Sequence, residues 1–145
     1  TAKPPYHDEV ERLGASTVLD YARGDLASAL ADACEPSLVL GTVVDRTIET
    51  DAEVLAPGGR IVAIGNTEPT VAFPMGPGKG KDIRLQAMSM FNTPDTSTVL
   101  SRLAGMVARG DIEPVVAREY ALDDIEDAHR DVLAESVLGK LVVRP

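Results

Sequence analysis

The sequence predicts an α/β protein built on a parallel, doubly wound sheet. Three observations carry that expectation. Helix and strand signals alternate through the first half of the chain, as parallel strands joined by crossover helices require. Two short apolar runs, 38–44 and 60–64, lack the polar alternation of a strand with one wet face and read as strands buried on both sides. Aromatic residues make up only 3% of the chain against 44% hydrophobic, with no Trp. A core of Ala, Val, Leu and Ile suits closely packed helix-on-sheet layers.

The elements follow in order. Pro4 and Pro5 open a helix with Tyr6, Val10 and Leu13 on one face, and Gly14 stops it. Residues 17–19 read as a short strand ending at Asp20. Leu26, Leu30 and Ala33 mark a second helix. After the strand at 38–44, Asp45 is placed to cap a helix carrying Ile48, Ala52 and Leu55. Pro57, Gly58 and Gly59 turn the chain into the strand at 60–64, which Gly65 and Asn66 end. The stretch 68–82 holds Pro69, Pro74, Gly76, Pro77, Gly78 and Gly80 and reads as a mobile loop. A strand at 83–90 follows. Thr93 and Pro94 then read as N-cap and first residue of a helix with Val99, Leu103 and Met106 on its apolar face, ended by Gly110. A strand at 115–120 and a helix bearing Ile125, Ala128, Val132 and Leu133 come next, the helix opened by a capping-box-like Asp123 and Glu126. Gly139 and a strand at 141–143 complete the chain.

The 145 residues suit one compact domain, and 26% charged residues speak against general disorder. A formal net charge of −9 repels nucleic acid and anionic membranes, which sets both aside as partners. No apolar run is long enough to span a bilayer and no signal peptide is visible. The single cysteine, Cys34, makes no internal disulfide and no metal-ligand spacing. A cytoplasmic setting is expected. The chain opens on Thr1 in place of Met, which fits a processed or proteolytically released polypeptide.

Four stretches in register resemble one family. They are Arg12-Leu13-Gly14-Ala15 followed by Val18-Leu19-Asp20-Tyr21; the run from Val54 through Ala56-Pro57-Gly58-Gly59-Arg60 to Gly65; Met90-Phe91-Asn92-Thr93; and the ending marked by Leu122, Ala128-His129 and Gly139-Lys140. Together they resemble the C-terminal part of the medium-chain dehydrogenases/reductases, of the quinone oxidoreductase and zinc-type alcohol dehydrogenase kind. In that family a Rossmann domain interrupts a catalytic domain to which the chain returns. The resemblance thus implies a partial Rossmann domain over 1–93, lacking its first βα unit, and C-terminal helices and return strands of the catalytic domain over 94–145. The glycine-rich phosphate turn of dinucleotide binding does not occur here, and the glycines of 75–82 have neither its spacing nor that of a P-loop. The N-terminal domain, home of the zinc in zinc-dependent members, is outside the sequence, and no metal is expected in this chain.

The resemblance places cofactor contacts at strand C-termini. Lys3, at the end of the family's second Rossmann strand, has no acid before Asp8 and suits a 2′-phosphate, favouring NADP(H) over NAD; Tyr21, in the family-like segment after the strand that ends at Asp20, is a further cofactor-binding candidate. Thr42 and Val43 follow Gly41, where the family often has Asp. Ile64, Gly65 and Asn66 stand where the family meets the nicotinamide ribose. Phe91, Asn92 and Thr93 stand where its main chain meets the nicotinamide amide. His7, in the first turn of a helix, is in reach of a phosphate. His129 reads as a helix-face histidine with a structural role, Cys34 as an inert thiol, and no residue is nominated as catalytic.

Three functions are consistent with these readings. The first is the C-terminal part of an NADPH-dependent quinone or enone reductase, inactive alone, whose small-molecule substrate pocket is built mainly by the N-terminal domain. The second is a non-catalytic module that forms a homodimer through the edge strand at 83–90. The third is a fragment of a Rossmann-like methyltransferase, whose turns the Leu55–Arg60 segment also resembles.

Overall fold

The computed structural model describes residues 1–134 and 136–145. The chain divides into two compact units, Thr1–Pro94 and Asp95–Pro145.

The first unit is built around a parallel sheet with one helix packed directly on it. A 3-10 turn over Pro4–Tyr6 leads into α1 (His7–Arg12), and α2 (Leu26–Ala33) follows. Then come β1 (Leu38–Gly41), α3 (Val44–Val54), β2 (Arg60–Ala63), α4 (Met75–Gly80) and β3 (Arg84–Ala87). The strands lie in the order β1-β2-β3 and all run parallel. Their register aligns Val39, Ile61 and Leu85 in one row and Gly41, Ala63 and Ala87 in another.

Helix α3 supplies the core. Val44, Ile48 and Ala52 repeat every four residues, so they form one stripe along the helix. That stripe is buried with Leu55 and Ile61, and Val39, Ala63, Val71, Phe73 and Ile83 pack around it. Leu55 and Ile61 are fully enclosed, and each contributes roughly 2 kcal/mol of hydrophobic stabilisation. The helix ends at Leu55, whose backbone turns extended. Lys81 reaches back to donate to the Leu55 carbonyl at 2.8 Å and to that of Glu53, the cation placement that favours a helix C-terminus.

Several local expectations change. The strand expected at 17–19 does not form; a single parallel bridge pairs Ala2 with Asp20 instead, apart from the three-stranded sheet. One bridge is too short to propagate a ladder. The run 38–44 is strand only to Gly41, because Val44 already belongs to α3. Nor is it covered on both faces: Leu38 and Leu40, opposite the α3 side, are 50% and 60% exposed. Asp45 does not cap α3, whose N-cap is Val43 with no side-chain bond. The glycine-rich stretch is not wholly loop, since Met75–Gly80 is helical. Tertiary packing overrides poor propensity there: Gly78 is buried, and a Cβ on it would collide with the Phe73 ring.

The second unit holds α5 (Thr96–Arg109), β4 (Val116–Ala121), α6 (Ile125–Ala134) and β5 (Lys140–Arg144). Its N-cap is Asp95, not Thr93, and Pro94 lies outside the helix. The Asp95 carboxylate accepts from the Thr98 amide at 3.0 Å and from the hydroxyls of Thr98 and Ser97 at 2.5 and 2.7 Å. A carboxylate satisfies several first-turn donors at once, which Thr93 cannot do. Gly110 ends α5 with φ +77°, the left-handed turn that glycine adopts without strain. β4 and β5 pair parallel, with α6 as the crossover between them. Leu122–Asp124 form a 3-10 turn leading directly into α6. Tyr120 donates its hydroxyl to Asp131 at 2.6 Å and Arg118 also bonds Asp131, tying β4 to α6.

Candidate cofactor-binding site

Ligands of open parallel sheets bind beyond the C-terminal ends of the strands. In the first unit those ends are small: Gly41, Ala63 and Ala87 stand level. Beyond them opens a hollow of about 260 Å3 lined by Val44, Ala63, Ile64, Gly65, Asn66, Pro69, Val71, Leu85, Ala87 and Met88. Its walls are mainly apolar, with Asn66 the polar side chain. Asn66 donates from Nδ2 to the Glu68 carbonyl at 2.8 Å.

Two turns form one wall, and their backbones are fastened together. The Ile64 and Gly65 amides donate to the Gly41 carbonyl at 2.9 and 3.3 Å, and the Val44 amide donates to the Gly65 carbonyl at 3.0 Å. The approach is so close that a Cβ at Gly65 would overlap the Thr42 carbonyl oxygen. Gly65 is therefore required by space, not by dihedral preference. A third fastening comes from a side chain. Asp45 accepts from the Thr67 amide at 2.7 Å and from the Thr67 hydroxyl at 2.6 Å. These two bonds, the hydroxyl's first, hold the Asp45 carboxyl below its ordinary range.

The candidate residues fall into three places. Ile64, Gly65 and Asn66 line the hollow, and Thr42 and Val43 lie in the turn bonded against them. Lys3 and Tyr21 form a second place: the Ala2 amide donates to the Leu19 carbonyl at 3.0 Å, and the Ala2–Asp20 bridge sets the residue after each partner at adjoining strand exits. His7 is close by and donates from Nε2 to the Ala2 carbonyl at 3.0 Å. Phe91, Asn92 and Thr93 form a third, in and after the 3-10 turn Met90–Asn92. They do not line the hollow, which reaches only to Met88, and Phe91 is 90% exposed.

Sequence reasoning missed four participants. Asp20 sits opposite Ala2, beside Lys3, where the sequence order alone shows no acid; its carboxylate accepts from the Ala22 amide at 2.9 Å. Leu85 and Met88 line the hollow from the neighbouring strand, a contact that only sheet order discloses. The role of Asp45 was concealed because an Asp at a helix start has the same sequence signature as a cap. Cys34 is an exposed free thiol, and His129 is exposed.

Among the described residues no group of three or more His, Cys, Asp or Glu is placed to hold a metal ion.

A family model described as zinc-binding dehydrogenase matches residues 13–143, and the chain belongs to this family of oxidoreductases. A quinone oxidoreductase of Pseudomonas aeruginosa is 28% identical over 146 residues, covering 91% of this chain and 43% of its own. An acryloyl-coenzyme A reductase of Sulfurisphaera tokodaii is 28% identical over 111 residues, covering 75% of this chain and 32% of its own. The solved quinone oxidoreductase of Pseudomonas syringae superimposes with a TM-score of 0.78 at 25% identity, over 100% of this chain and 47% of its own. The chain therefore spans less than half the length of these relatives. The zinc of the family name finds no donor set among the described residues.

Proposed function

We propose that this chain is the nicotinamide-side portion of an NADPH-dependent reductase of quinones or activated alkenes. The observation that carries this reading is the hollow at the level ends of β1, β2 and β3, walled by a turn in which Gly65 leaves no room for a side chain. Gly65 lets the two turns that wall the hollow close on each other, which fixes where the Ile64–Asn66 segment stands. The cofactor supplies the hydride when bound; the protein supplies position and a water-poor wall. Lys3 at the adenosine end supports a 2′-phosphate, hence NADP(H) in preference to NAD, with the carboxylate of Asp20 across the bridge engaged by the Ala22 amide. Residues 1–93 act as a nucleotide-binding domain whose first βα unit is supplied by other polypeptide, and 94–145 belong to the catalytic domain. The free outer edge of β1 and the separate Ala2–Asp20 bridge are consistent with a strand inserted between them.

The complete gene product is expected to oxidise NADPH with quinones or enones as acceptors. Spectrophotometry at 340 nm checks this, and no turnover with any acceptor of either class would count decisively against it. The 145-residue chain alone is expected to be inactive and to bind NADPH weakly, because a pyrophosphate grip is missing from it. Micromolar affinity by calorimetry would overturn that part.

A second reading adds to the first. β3 (Arg84–Ala87), shorter than the strand expected at 83–90, lies at an edge of the described sheet and is exposed along its whole length, with Leu85, Met88 and Met90 exposed in and after it. Such an edge pairs readily with a second copy across a two-fold axis. A homodimer through residues 83–90 is expected in light scattering, and a monomer at high concentration would remove it.

A further inference from the structure

The nicotinamide-side reading raises the question of what keeps the Ile64–Thr67 turn in place. β2 ends at Ala63, and among the described residues no backbone-to-backbone bond beyond Gly65 fastens the turn to the β1–α3 connection. The last fastening is the pair of bonds from Thr67 to Asp45, side chain to a residue 22 positions away. Asp45 adjoins Val44, whose amide holds the Gly65 carbonyl and whose side chain lines the hollow. One end of α3 thus grips the turn on both sides of Asn66.

We propose that Asp45 is a positioning residue for the cofactor: by clamping Thr67 it sets the height of the Gly65–Asn66 main chain over the hollow. This rests on the function proposed above. Asp45 does not itself line the hollow, so it acts through Thr67 and not by contact. A carboxylate suits the task because it accepts two donors at once, and both bonds are charge-assisted. Ala would release both. Asn keeps one acceptor for the Thr67 amide and turns an N–H toward the hydroxyl, which can rotate to accept it. Asn is therefore a conservative substitute and should rescue most of the effect.

The test uses the complete gene product with two ligands, NADPH and 2′,5′-ADP. The second occupies the adenosine end only. Asp45→Ala is expected to weaken NADPH binding about tenfold and to leave 2′,5′-ADP binding unchanged. Asp45→Asn should stay within about threefold of the parent, and Thr67→Val, which keeps the amide but loses the hydroxyl, should fall between. Amide exchange at Gly65–Thr67 should quicken in the same order. Equal weakening of both ligands, or of neither, overturns the assignment, as does unchanged exchange in Asp45→Ala. If Asp45→Ala does not fold, the Thr67→Val and Asp45→Asn pair decides by the same comparison. Failure of the parent protein to bind NADPH or NADH overturns the function proposed above; the exchange data then still report whether the clamp exists.

Discussion

A methyl group added at residue 65 has nowhere to go, because the Thr42 carbonyl oxygen already occupies its place. The obstacle is backbone and cannot rotate aside. Gly65→Ala is therefore expected to cost about 2 kcal/mol or more, read as a lower urea midpoint, and to part the two turns that wall the hollow. Gly78 offers the contrast. Its obstacle is the Phe73 ring, a side chain able to shift, so Gly78→Ala should be milder in the same assay. Asp95 gives a prediction in pH. Its carboxyl is held down to about 2 by the Thr98 hydroxyl, then the Ser97 hydroxyl and the Thr98 amide. A depressed acid stabilises the fold above its unfolded value, close to 3.8, and that contribution disappears as pH falls through about 2. The start of α5 should therefore fray between these limits, seen as amide exchange at Ser97 and Thr98. Asp95→Asn should fray less at pH 7 than Asp95→Ala, since Asn also caps.

At the level of elements, α3 is the piece on which the first unit depends. Ile48 lies at the centre of its buried stripe, 4% exposed, so Ile48→Ala should destabilise by roughly 2–5 kcal/mol. At its end, Lys81→Met removes the donor that serves the Glu53 and Leu55 carbonyls and should cost about 1–2 kcal/mol. Chemical denaturation measures both. The stripe was legible in the sequence because spacing of four is a strong signal, and β2 was legible because Pro57, Gly58 and Gly59 punctuate it. α4 was not legible: its six residues include three glycines and a proline, and tertiary packing, with Gly78 buried against Phe73, accompanies a helix that propensity disfavours. The strand expected at 17–19 failed for the opposite reason. Its residues have β character, but a strand needs a ladder, and this one has a single rung. At the candidate site, Ile64 and Gly65 could be placed from sequence because they end an apolar run. The bonds between Asp45 and Thr67 could not, because they join residues on two successive turns that only the sheet register brings together.

On the scale of the whole chain, family membership and length act together. The match covers residues 13–143, yet the relatives are more than twice as long, so activity is a property to be sought in the complete gene product. β1 bears on how this stretch behaves by itself. Its residues are Leu-Val-Leu-Gly; among the described residues it has one neighbour, β2, and no Lys, Pro or bulge within it guards its other side, the devices by which natural edges discourage unwanted pairing. Produced in isolation, such a polypeptide would present folding helpers and inclusion bodies with an adhesive seam. Leu40→Lys should therefore raise recovery from a cell lysate.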